Sequence, residues 1–300
     1  MNVLLCGQFD PGEQDGWLQA LSTAMPDARW LDLAAARARP GEVQAAVVAN
    51  PPPGCLQGLP RLQLIQSLWA GVDRLLADTT LPAGVPIARM VDPAMNAAMA
   101  ETALWAVLSL HRGFFAYARR QQEARWLPHA QHRADEVNVL VLGQGQMGRT
   151  TAERIAALGY RVQGWRRDGT PLAPLLAQAQ IVINLLPLTP QTHGMLNASF
   201  FAAMPAQASL VNLARGQHVV DADLLVALDS GHLRHAVLDV FHVEPLPPEH
   251  PYWKHPCVTV LPHAAASTDA RSAAAVAVAN LRALRDGRPL ANLVDAARGY

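Results

Sequence analysis

The feature of this sequence that most restricts its fold is an apolar run that ends in three closely spaced glycines. The segment V-L-V-L-G-Q-G-Q-M-G-R reads as a buried strand, a tight turn at Gly143 and a helix that begins near Met147. Gly145 lets a ligand approach the backbone, and Gly148 lets the helix pack close to the strand. The first helical amides, including those of Gln146 and Met147, face the ligand with partial positive charge. The pattern predicts a pyrophosphate site for a dinucleotide, and the alternative is a glycine turn without a ligand.

The end of the next predicted strand indicates which dinucleotide binds. Strands at this position in NAD-binding folds end in Asp or Glu, which holds the ribose hydroxyls. Here the strand ends in G-W-R-R-D, so Arg166 takes the acidic position and Arg167 follows it. A guanidinium binds a 2′-phosphate through charge-assisted hydrogen bonds, whereas a carboxylate repels it. We therefore predict NADP(H) over NAD(H). The alternative is a pair of solvated arginines with Asp168 as the ribose ligand.

Strands alternate with helices along the rest of the chain. A length of 300 residues exceeds one compact core and predicts two domains. Strands separated by helices imply parallel sheets. The predicted class is therefore α/β, with two Rossmann-like or flavodoxin-like domains and an active-site cleft between them. We predict strands over residues 2–6, 45–49, 62–68, 85–90, 137–142, 161–165, 181–186, 210–213, 236–239 and 258–261.

Helical patterns suggest how the two domains are assembled. A long helix opens at Asp92 and Pro93, carries an apolar stripe that reaches Phe115, and precedes an exposed arm over residues 119–133. The last helix, 269–285, is placed to fold back onto the first domain. We therefore assign residues 1–96 and 267–300 to an outer substrate domain and 97–266 to the dinucleotide-binding domain. Further helices are predicted over 16–25, 147–158, 198–203 and 221–229.

Composition excludes several classes of protein. The formal net charge is zero, which argues against a general binder of nucleic acids or anionic membranes. We find neither a signal peptide nor an apolar run near the roughly 18 residues of a membrane span. Three scattered cysteines without CxxC spacing argue against a disulfide framework and for a reducing compartment, the cytoplasm.

The histidines give no sign of a metal site. Two pairs lie in polar or proline-rich loops, and the sequence contains no HExxH motif and no cysteine-rich spacing. We interpret both pairs as solvated surface residues and predict no bound metal. The pairs are His129 with His132, and His250 with His255.

Three segments of the second half carry chemistry: N-L-A-R-G, L-D-V-F-H-V-E-P-L-P and L-P-H-A-A-A. Arg215, Glu244 and His263 each follow a predicted strand. Since ligands bind at the carboxyl ends of strands in open α/β sheets, the three side chains are expected to face one cleft. Each also has a structural alternative: a loop cap for Arg215, a surface ion pair for Glu244 and a satisfied structural histidine for His263.

In this order, the glycine loop, Arg, Glu and His resemble the D-isomer-specific 2-hydroxyacid dehydrogenases over nearly the whole chain. The resemblance is closest to the glyoxylate/hydroxypyruvate reductase A group. It rests also on I-N-L-L-P-L-T-P, N-L-A-R-G-Q-H-V-V, W-A-G-V-D and the terminal V-D-A-A-R-G-Y. The segment from Met90 to Pro93 departs from the family pattern.

The resemblance implies reduction of a small 2-keto acid, glyoxylate or hydroxypyruvate, with hydride from NADPH. Arg215 is then expected to hold the substrate carboxylate and keto oxygen. His263 is expected to protonate the forming alkoxide. Glu244 is expected to fix the tautomer of His263 and to favour its charged form. Further cofactor contacts are expected from residues at the strand ends: Trp165, Leu186, Pro187, Leu213, Ala214, Asp239 and His263.

In the first domain, the turn at Trp69, Ala70 and Gly71 resembles the family's substrate loop, in which backbone N–H groups contact the substrate carboxylate. Trp69 is either a pocket wall or a core residue. Arg89 is either a positive charge near the substrate or a surface arginine. Trp126 resembles an arm tryptophan that some family members insert into the partner's active site, and its alternative is ordinary packing at a dimer interface.

The resemblance suggests a homodimer through the cofactor domains. One hypothesis from another class competes with the enzyme: a binding protein that senses nicotinamide dinucleotides, as corepressors of this fold do. Such a protein does not require Arg215, Glu244 and His263 together, and this chain has all three.

Overall fold

The computed structural model describes residues 1–10, 12–295 and 298–299, which form two compact units. The first unit comprises residues 1–95 and 268–300, and the second comprises residues 96–267. Each unit holds a parallel sheet with helices packed against it, which confirms the predicted α/β class. Part of the terminal V-D-A-A-R-G-Y motif, namely Ala296, Ala297 and Tyr300, lies outside the described residues.

The first unit contains a five-stranded sheet and the helices that cover it. The elements are β1 (Asn2–Gly7), α1 (Glu13–Ala24), β2 (Arg29–Leu31), α2 (Leu33–Ala38), β3 (Ala45–Ala49), β4 (Leu64–Ser67), α3 (Asp73–Leu76), β5 (Ile87–Ala88) and α10 (Ala270–Arg285), with a 3-10 helix over Pro40–Glu42. The strand order is β2-β1-β3-β4-β5. The core joins apolar residues of the strands to those of the helices and loops that cover them, and α10 packs on α1 and β4.

The second unit contains a six-stranded sheet with one apolar core on each face. The strands are β6 (Asn138–Leu142), β7 (Arg161–Trp165), β8 (Ile181–Asn184), β9 (Ala208–Asn212), β10 (Leu233–Leu238) and β11 (Val258–Val260). Their order in the sheet is β11-β10-β9-β8-β6-β7. The helices are α4 (Pro93–Arg112), α5 (Phe114–Gln122), α6 (Gln146–Ala156), α7 (Ala173–Leu176), α8 (Ala198–Ala202) and α9 (Asp221–Asp229). The first turn of α4 contains the division between the units. Short 3-10 helices span Ala134–Glu136, Gly216–His218 and Pro251–Trp253.

Several predicted elements are shorter than expected, and two of them have a cause that is visible in the sequence. The strand expected over residues 85–90 is only Ile87–Ala88, because Pro86 has no N–H to donate to a neighbouring strand. The long helix ends at Arg112, so Phe115 lies on the next helix, and the arm begins only after that helix ends. Gly113 separates the two helices in the left-handed conformation, with φ of +74°.

Among the described residues, no helix has both the length and the apolar character needed to cross a bilayer.

Candidate active site

All strands of the second sheet run parallel, so their carboxyl ends lie along one edge. Most of the predicted site residues follow these strand ends. In spatial order, the edge carries Arg166 after β7, Gly143 after β6, Leu186 after β8, Arg215 after β9, Glu244 after β10 and His263 after β11. The strand β7 lies on one side of β6 and β8 lies on the other, so the order of the strands reverses between β6 and β8. Ligands of open α/β sheets bind at such a reversal of strand order.

The glycine loop at this reversal fits a bound pyrophosphate. Gly143 has φ of +96°, and a Cβ there would lie 2.5 Å from the Leu185 carbonyl oxygen. A Cβ at Gly148 would lie 1.8 Å from the Gly143 carbonyl oxygen. At Gly145, in contrast, the Cβ position has no atom within 4 Å, which leaves the backbone open to a ligand. Helix α6 begins immediately afterwards at Gln146, so its first amides point toward this open space.

A polar cavity of about 350 Å³ lies beside the glycine loop at the end of β7. Arg166 donates from Nε to Asp168 Oδ2 at 2.5 Å. Hydrogen bonds from Thr170 and from Arg166 lower the pKa of Asp168 to about 2, so this carboxylate is ionised at neutral pH. The lining residues are Gln144, Arg149, Gly164, Arg166, Asp168 and Thr170.

Two further predicted cofactor residues at this end of the sheet have different surroundings. The ring of Trp165 is buried in the core, where its indole N–H donates to the Thr170 carbonyl at 2.9 Å. It thereby holds the backbone of Thr170, which lines the cavity. Arg167 is exposed and does not line the cavity. Sequence reasoning missed Arg149, whose Nε donates to the Gln144 carbonyl at 3.0 Å.

A buried asparagine pair orders the loops after β8 and β9. Asn184 Nδ2 donates to Asn212 Oδ1 at 3.0 Å, and both residues have no exposed surface. Asn184 Oδ1 accepts from the Leu186 amide, and Asn212 Nδ2 donates to the Arg215 carbonyl at 2.9 Å. These bonds fix the backbone around Leu186, Pro187, Leu213 and Ala214. An asparagine that ends an otherwise apolar strand was the signal that could have revealed the pair.

His218 is another buried polar residue that the sequence did not single out. Its Nδ1 lies 3.1 Å from the Arg215 carbonyl oxygen, and its Nε2 lies 3.2 Å from the Pro187 carbonyl oxygen. Thr192 Oγ1 also donates to the Pro187 carbonyl at 2.8 Å. The imidazole therefore joins the loop after β8 to the segment that carries Arg215.

The Arg215 segment also lies against the loop that carries Glu244. A Cβ at Gly216 would lie 2.0 Å from the Phe241 carbonyl carbon, so only glycine permits this approach of two backbones. The half-buried Arg215 side chain donates from Nη1 to the Ala214 carbonyl at 2.7 Å. The guanidinium is thus held at the strand edge beside the loop after β10.

Glu244 and His263 are hydrogen-bonded directly. His263 Nδ1 lies 2.8 Å from Glu244 Oε2, while Glu244 Oε1 accepts from the Phe241 amide at 2.9 Å. The His263 side chain is 51% exposed and that of Glu244 is 22% exposed. A carboxylate on Nδ1 fixes the tautomer and orientation of an imidazole. Since Nδ1 is bonded to Glu244, Nε2 is the ring nitrogen that remains for a reacting oxygen.

Asp239 secures the backbone of His263. The His263 amide donates to the Asp239 carbonyl at 2.8 Å, and the Asp239 carboxylate accepts from the Ala264 and Ala265 amides. Burial raises the pKa of Asp239, and the two amide hydrogen bonds oppose that rise. His263 itself has φ of +54°, a conformation that most residues avoid. The Asp239 carboxylate thereby stabilises this turn, and the cofactor contact expected of Asp239 stays a prediction.

The predicted substrate residues of the first unit lie on its own strand ends. The turn after β4 is half-buried and consists of Trp69, Ala70 and Gly71. Trp69 packs edge-on against Trp17, with 6.2 Å between the ring centroids. Ser67 Oγ accepts from the Trp69 amide at 3.0 Å, which orders the start of this turn. Arg89 is half-buried, and this burial lowers the pKa of its guanidinium, so it is not the fully solvated surface arginine of the alternative interpretation.

The interpretation of the second histidine pair as solvated is wrong. His250 Nε2 lies 3.5 Å from Asp221 Oδ2, and only 21% of the His250 side chain is exposed. His255 Nε2 lies 3.2 Å from Asp229 Oδ1, and only 10% of its side chain is exposed. Both rings are sheltered because the loop after β10 folds over α9. Within the ranges that the structure describes, no group of three or more His, Cys, Asp or Glu residues is arranged to hold a metal ion.

The two histidines of the first pair, His129 and His132, differ in their exposure to solvent. His132 is exposed, as expected. His129 is half-buried against Gly113, where desolvation and nearby arginines lower its pKa. A ring at this position also explains why the break between α4 and α5 is a glycine, since a Cβ there would lie 1.9 Å from the imidazole.

The fold and the strand edge together define a dinucleotide-binding protein of the Rossmann type. Comparison with known proteins agrees: the family described as "D-isomer specific 2-hydroxyacid dehydrogenase, NAD binding domain" matches residues 104–265. The glyoxylate/hydroxypyruvate reductase A of Serratia proteamaculans is 40% identical, and that of Yersinia enterocolitica is 37% identical, each over 100% of both chains. The chain therefore belongs to the D-isomer specific 2-hydroxyacid dehydrogenase family, which confirms the resemblance drawn from its motifs.

Solved structures agree along the whole chain. A family member from Xanthobacter autotrophicus, in complex with NADPH and MES, has a TM-score of 0.93 and 38% identity. An NADPH-dependent glyoxylate/hydroxypyruvate reductase from Sinorhizobium meliloti, in complex with NADP and sulfate, has a TM-score of 0.92 and 34% identity. Each similarity covers 100% of this chain and 99% of the other.

Proposed function

We propose that this protein reduces small 2-keto acids with NADPH, taking glyoxylate to glycolate and hydroxypyruvate to D-glycerate. The observation that carries the proposal is the hydrogen bond between Glu244 and His263, on the strand edge that also holds Arg215 and the glycine loop. Family membership supports it, as do the relatives that are named glyoxylate/hydroxypyruvate reductase. Similar structures solved with NADPH or NADP support the choice of cofactor.

The residues present fit the cofactor along the strand edge. The open backbone at Gly145 and the first amides of α6 suit the pyrophosphate. Arg166, which lines the cavity, is proposed to bind the 2′-phosphate, with a second contact from the exposed Arg167 that follows it. The ordered backbone around Leu186, Pro187, Leu213 and Ala214 is proposed to line the nicotinamide end. When bound, NADPH supplies the hydride.

Each member of the Arg215, Glu244 and His263 set has one task in this proposal. Arg215 binds the substrate carboxylate and keto oxygen with its planar fork of N–H donors. His263 donates its Nε2 proton to the oxygen of the carbonyl as negative charge develops there. Glu244 holds Nδ1 and stabilises the positive imidazole before that transfer. The charges of Arg215 and His263 together favour the developing alkoxide over the neutral ketone.

The first unit supplies the remaining substrate contacts in this proposal. Backbone N–H groups at Ala70 and Gly71 bind the carboxylate, Trp69 limits the size of the substrate, and Arg89 adds positive charge. The half-burial of all four residues supports this assignment, because a ligand is able to reach them and is partly shielded from water there.

Purified protein tests the proposed activity directly. Oxidation of NADPH should depend on added glyoxylate or hydroxypyruvate, and kcat/KM should be higher with NADPH than with NADH. Tight NADPH binding without turnover of any short 2-keto acid would contradict the enzyme and identify a nucleotide-sensing protein.

We expect Arg166→Asp to reverse the cofactor preference. The change removes a charged hydrogen bond to the 2′-phosphate, worth about 1.5–3 kcal/mol, so kcat/KM with NADPH should fall roughly 10- to 100-fold. Activity with NADH should be retained or increase, because an acid suits free ribose hydroxyls. Arg161→Asp, at the opposite end of β7, is the control and should leave the preference unchanged. A wild-type enzyme that prefers NADH would contradict the assignment.

We also propose that the protein is a homodimer in the cytoplasm. The second unit exposes large apolar side chains on α4, α5 and the arm that follows. Trp126 is 99% exposed, which is costly for an indole in water. Trp105, Phe114 and Leu127 are also exposed. The free state of the three cysteines suits a reducing compartment.

Trp126→Ala should weaken the dimer in sedimentation experiments. Loss of a buried interface tryptophan costs about 2 kcal/mol or more, so the dimer Kd should rise roughly thirtyfold or more. Trp253→Ala, on the 3-10 helix after β10, is the matched control. If the wild type sediments as a monomer at micromolar concentration, the proposed dimer is wrong.

A further inference from the structure

Two of the three cysteines, which are far apart in sequence, lie in contact in the first unit. Cys6 lies on β1 and Cys55 lies in the loop after β3, and their Sγ atoms are 3.4 Å apart. Only 6% of Cys6 and 5% of Cys55 is exposed. Cys257 belongs to the second unit, where its sulfur lies 3.7 Å from Arg119 Nη1. The two contacting thiols thus form a pair that the cysteine spacing of the sequence did not indicate.

The backbones on both sides of this pair are held in place. Cys6 is paired in register with Val48 of β3. The Cys55 amide donates to the Pro52 carbonyl at 3.2 Å, and the preceding Gly54 amide donates to Thr80 Oγ1 at 2.7 Å. A disulfide requires an S–S distance of about 2.05 Å, so the two sulfurs need to approach by roughly 1.4 Å. Side-chain rotation and a small loop shift supply a movement of that size.

The surroundings make the two thiols unequal. The pKa of the Cys6 thiol is lowered, mainly by the hydrogen bond with Cys55 and also by the positive charge of Arg37. Burial of the thiol acts in the opposite direction. The same hydrogen bond, together with burial, raises the pKa of Cys55. Since the thiolate is the nucleophile, Cys6 is the sulfur that reacts first with an oxidant.

We propose that Cys6 and Cys55 are a modification site at which hydrogen peroxide forms a reversible disulfide. The Cys6 thiolate attacks one peroxide oxygen, the O–O bond breaks, and the departing hydroxide takes a proton to become water. The resulting sulfenic acid on Cys6 is attacked by the sulfur of Cys55, the S–S bond forms, and a second water leaves. Two thiols lose two electrons in total, and peroxide is reduced to two waters. A dithiol reverses the change by thiol–disulfide exchange.

The site suits a reducing compartment. Disulfides of cytosolic proteins are usually transient and redox-sensing rather than structural. Hydrogen peroxide is little larger than water and reaches the pair through local openings of the loop after β3. Closure of the bond ties that loop to the central strands of the first sheet, and the oxidised protein should show a Tm higher by several degrees.

Intact mass and thiol counting on the whole protein test this site. After a few equivalents of hydrogen peroxide, the mass should fall by about 2 Da and only Cys257 should react with N-ethylmaleimide after denaturation. Dithiothreitol should restore all three thiols. Cys6→Ser and Cys55→Ser should each abolish the intramolecular bond, whereas Cys257→Ser should retain it. Peptide mapping of the wild type should recover the linked peptides, which keeps the test independent of how the variants fold.

Two results would overturn the proposal. One is that Cys6 and Cys55 both stay reactive toward N-ethylmaleimide after the peroxide treatment, whether or not Cys257 is oxidised. The other is a gain of oxygen mass on Cys6 without any linked peptide. Neither result bears on the keto acid activity, which is measured separately.

Discussion

Replacing His263 by alanine should lower kcat for glyoxylate by roughly 10²- to 10⁴-fold, the range that general acid catalysis contributes. The imidazole is the proton donor in the proposed reaction, and Glu244 orients it through the 2.8 Å hydrogen bond to Nδ1. The affinity for NADPH should change little, since the glycine loop and Arg166 are intact. Steady-state kinetics and NADPH titration on the same preparation measure both quantities.

The control for this variant is His132→Ala, which removes an exposed imidazole from the arm. It should leave kcat within about twofold, well inside the normal effect of a surface substitution. Retention of most of the rate in His263→Ala would remove this residue from the role of acid. A matching fall in NADPH affinity would point instead to a structural role.

Arg215→Ala should reduce kcat/KM for the keto acid by roughly 10²- to 10⁴-fold. Two charged hydrogen bonds to the substrate are lost, each worth about 1.5–3 kcal/mol. Arg215→Lys keeps the charge but not the planar fork, so its loss should be smaller, roughly 10- to 100-fold. The Arg215 backbone, held by Asn212, does not depend on the side chain, so the Tm should be nearly unchanged.

Arg154→Ala, on the exposed side of α6, is the control for removal of a guanidinium. Equal losses in the Ala and Lys variants would show that the bidentate geometry, and not the charge alone, carries the binding. Unchanged kcat/KM in the Ala variant would contradict the role of Arg215 as substrate anchor.

The sequence was most informative where the backbone conformation permits only one residue type, glycine. Gly143 and Gly148 mark positions where any Cβ would collide with a carbonyl, and the structure has those close approaches. Arg215, Glu244 and His263 could be grouped because each follows a strand of one parallel sheet. That argument requires only topology, which alternating strands and helices predict well.

Contacts between distant segments could not be predicted in the same way. The Asn184–Asn212 pair, the two carbonyl contacts of His218 and the Cys6–Cys55 contact each depend on side chains from separate strands or loops. Short elements were also missed, because β2 has only three residues and gives no alternating pattern. Pro86 and Gly113 were visible in the sequence, yet their effect on β5 and α4 was underestimated.

The close approach of Gly216 to the Phe241 backbone has a consequence for how this enzyme family member can change. The loops after β9 and β10 are in contact through their backbones, so a displacement of one loop also displaces the other. The segment that carries Arg215, the proposed substrate anchor, and the loop that carries Glu244, the proposed partner of His263, are therefore coupled through their backbones. Substitutions meant to widen the range of accepted keto acids are therefore best made at other side chains near the substrate, with Gly216 and its contact to the Phe241 backbone left unchanged.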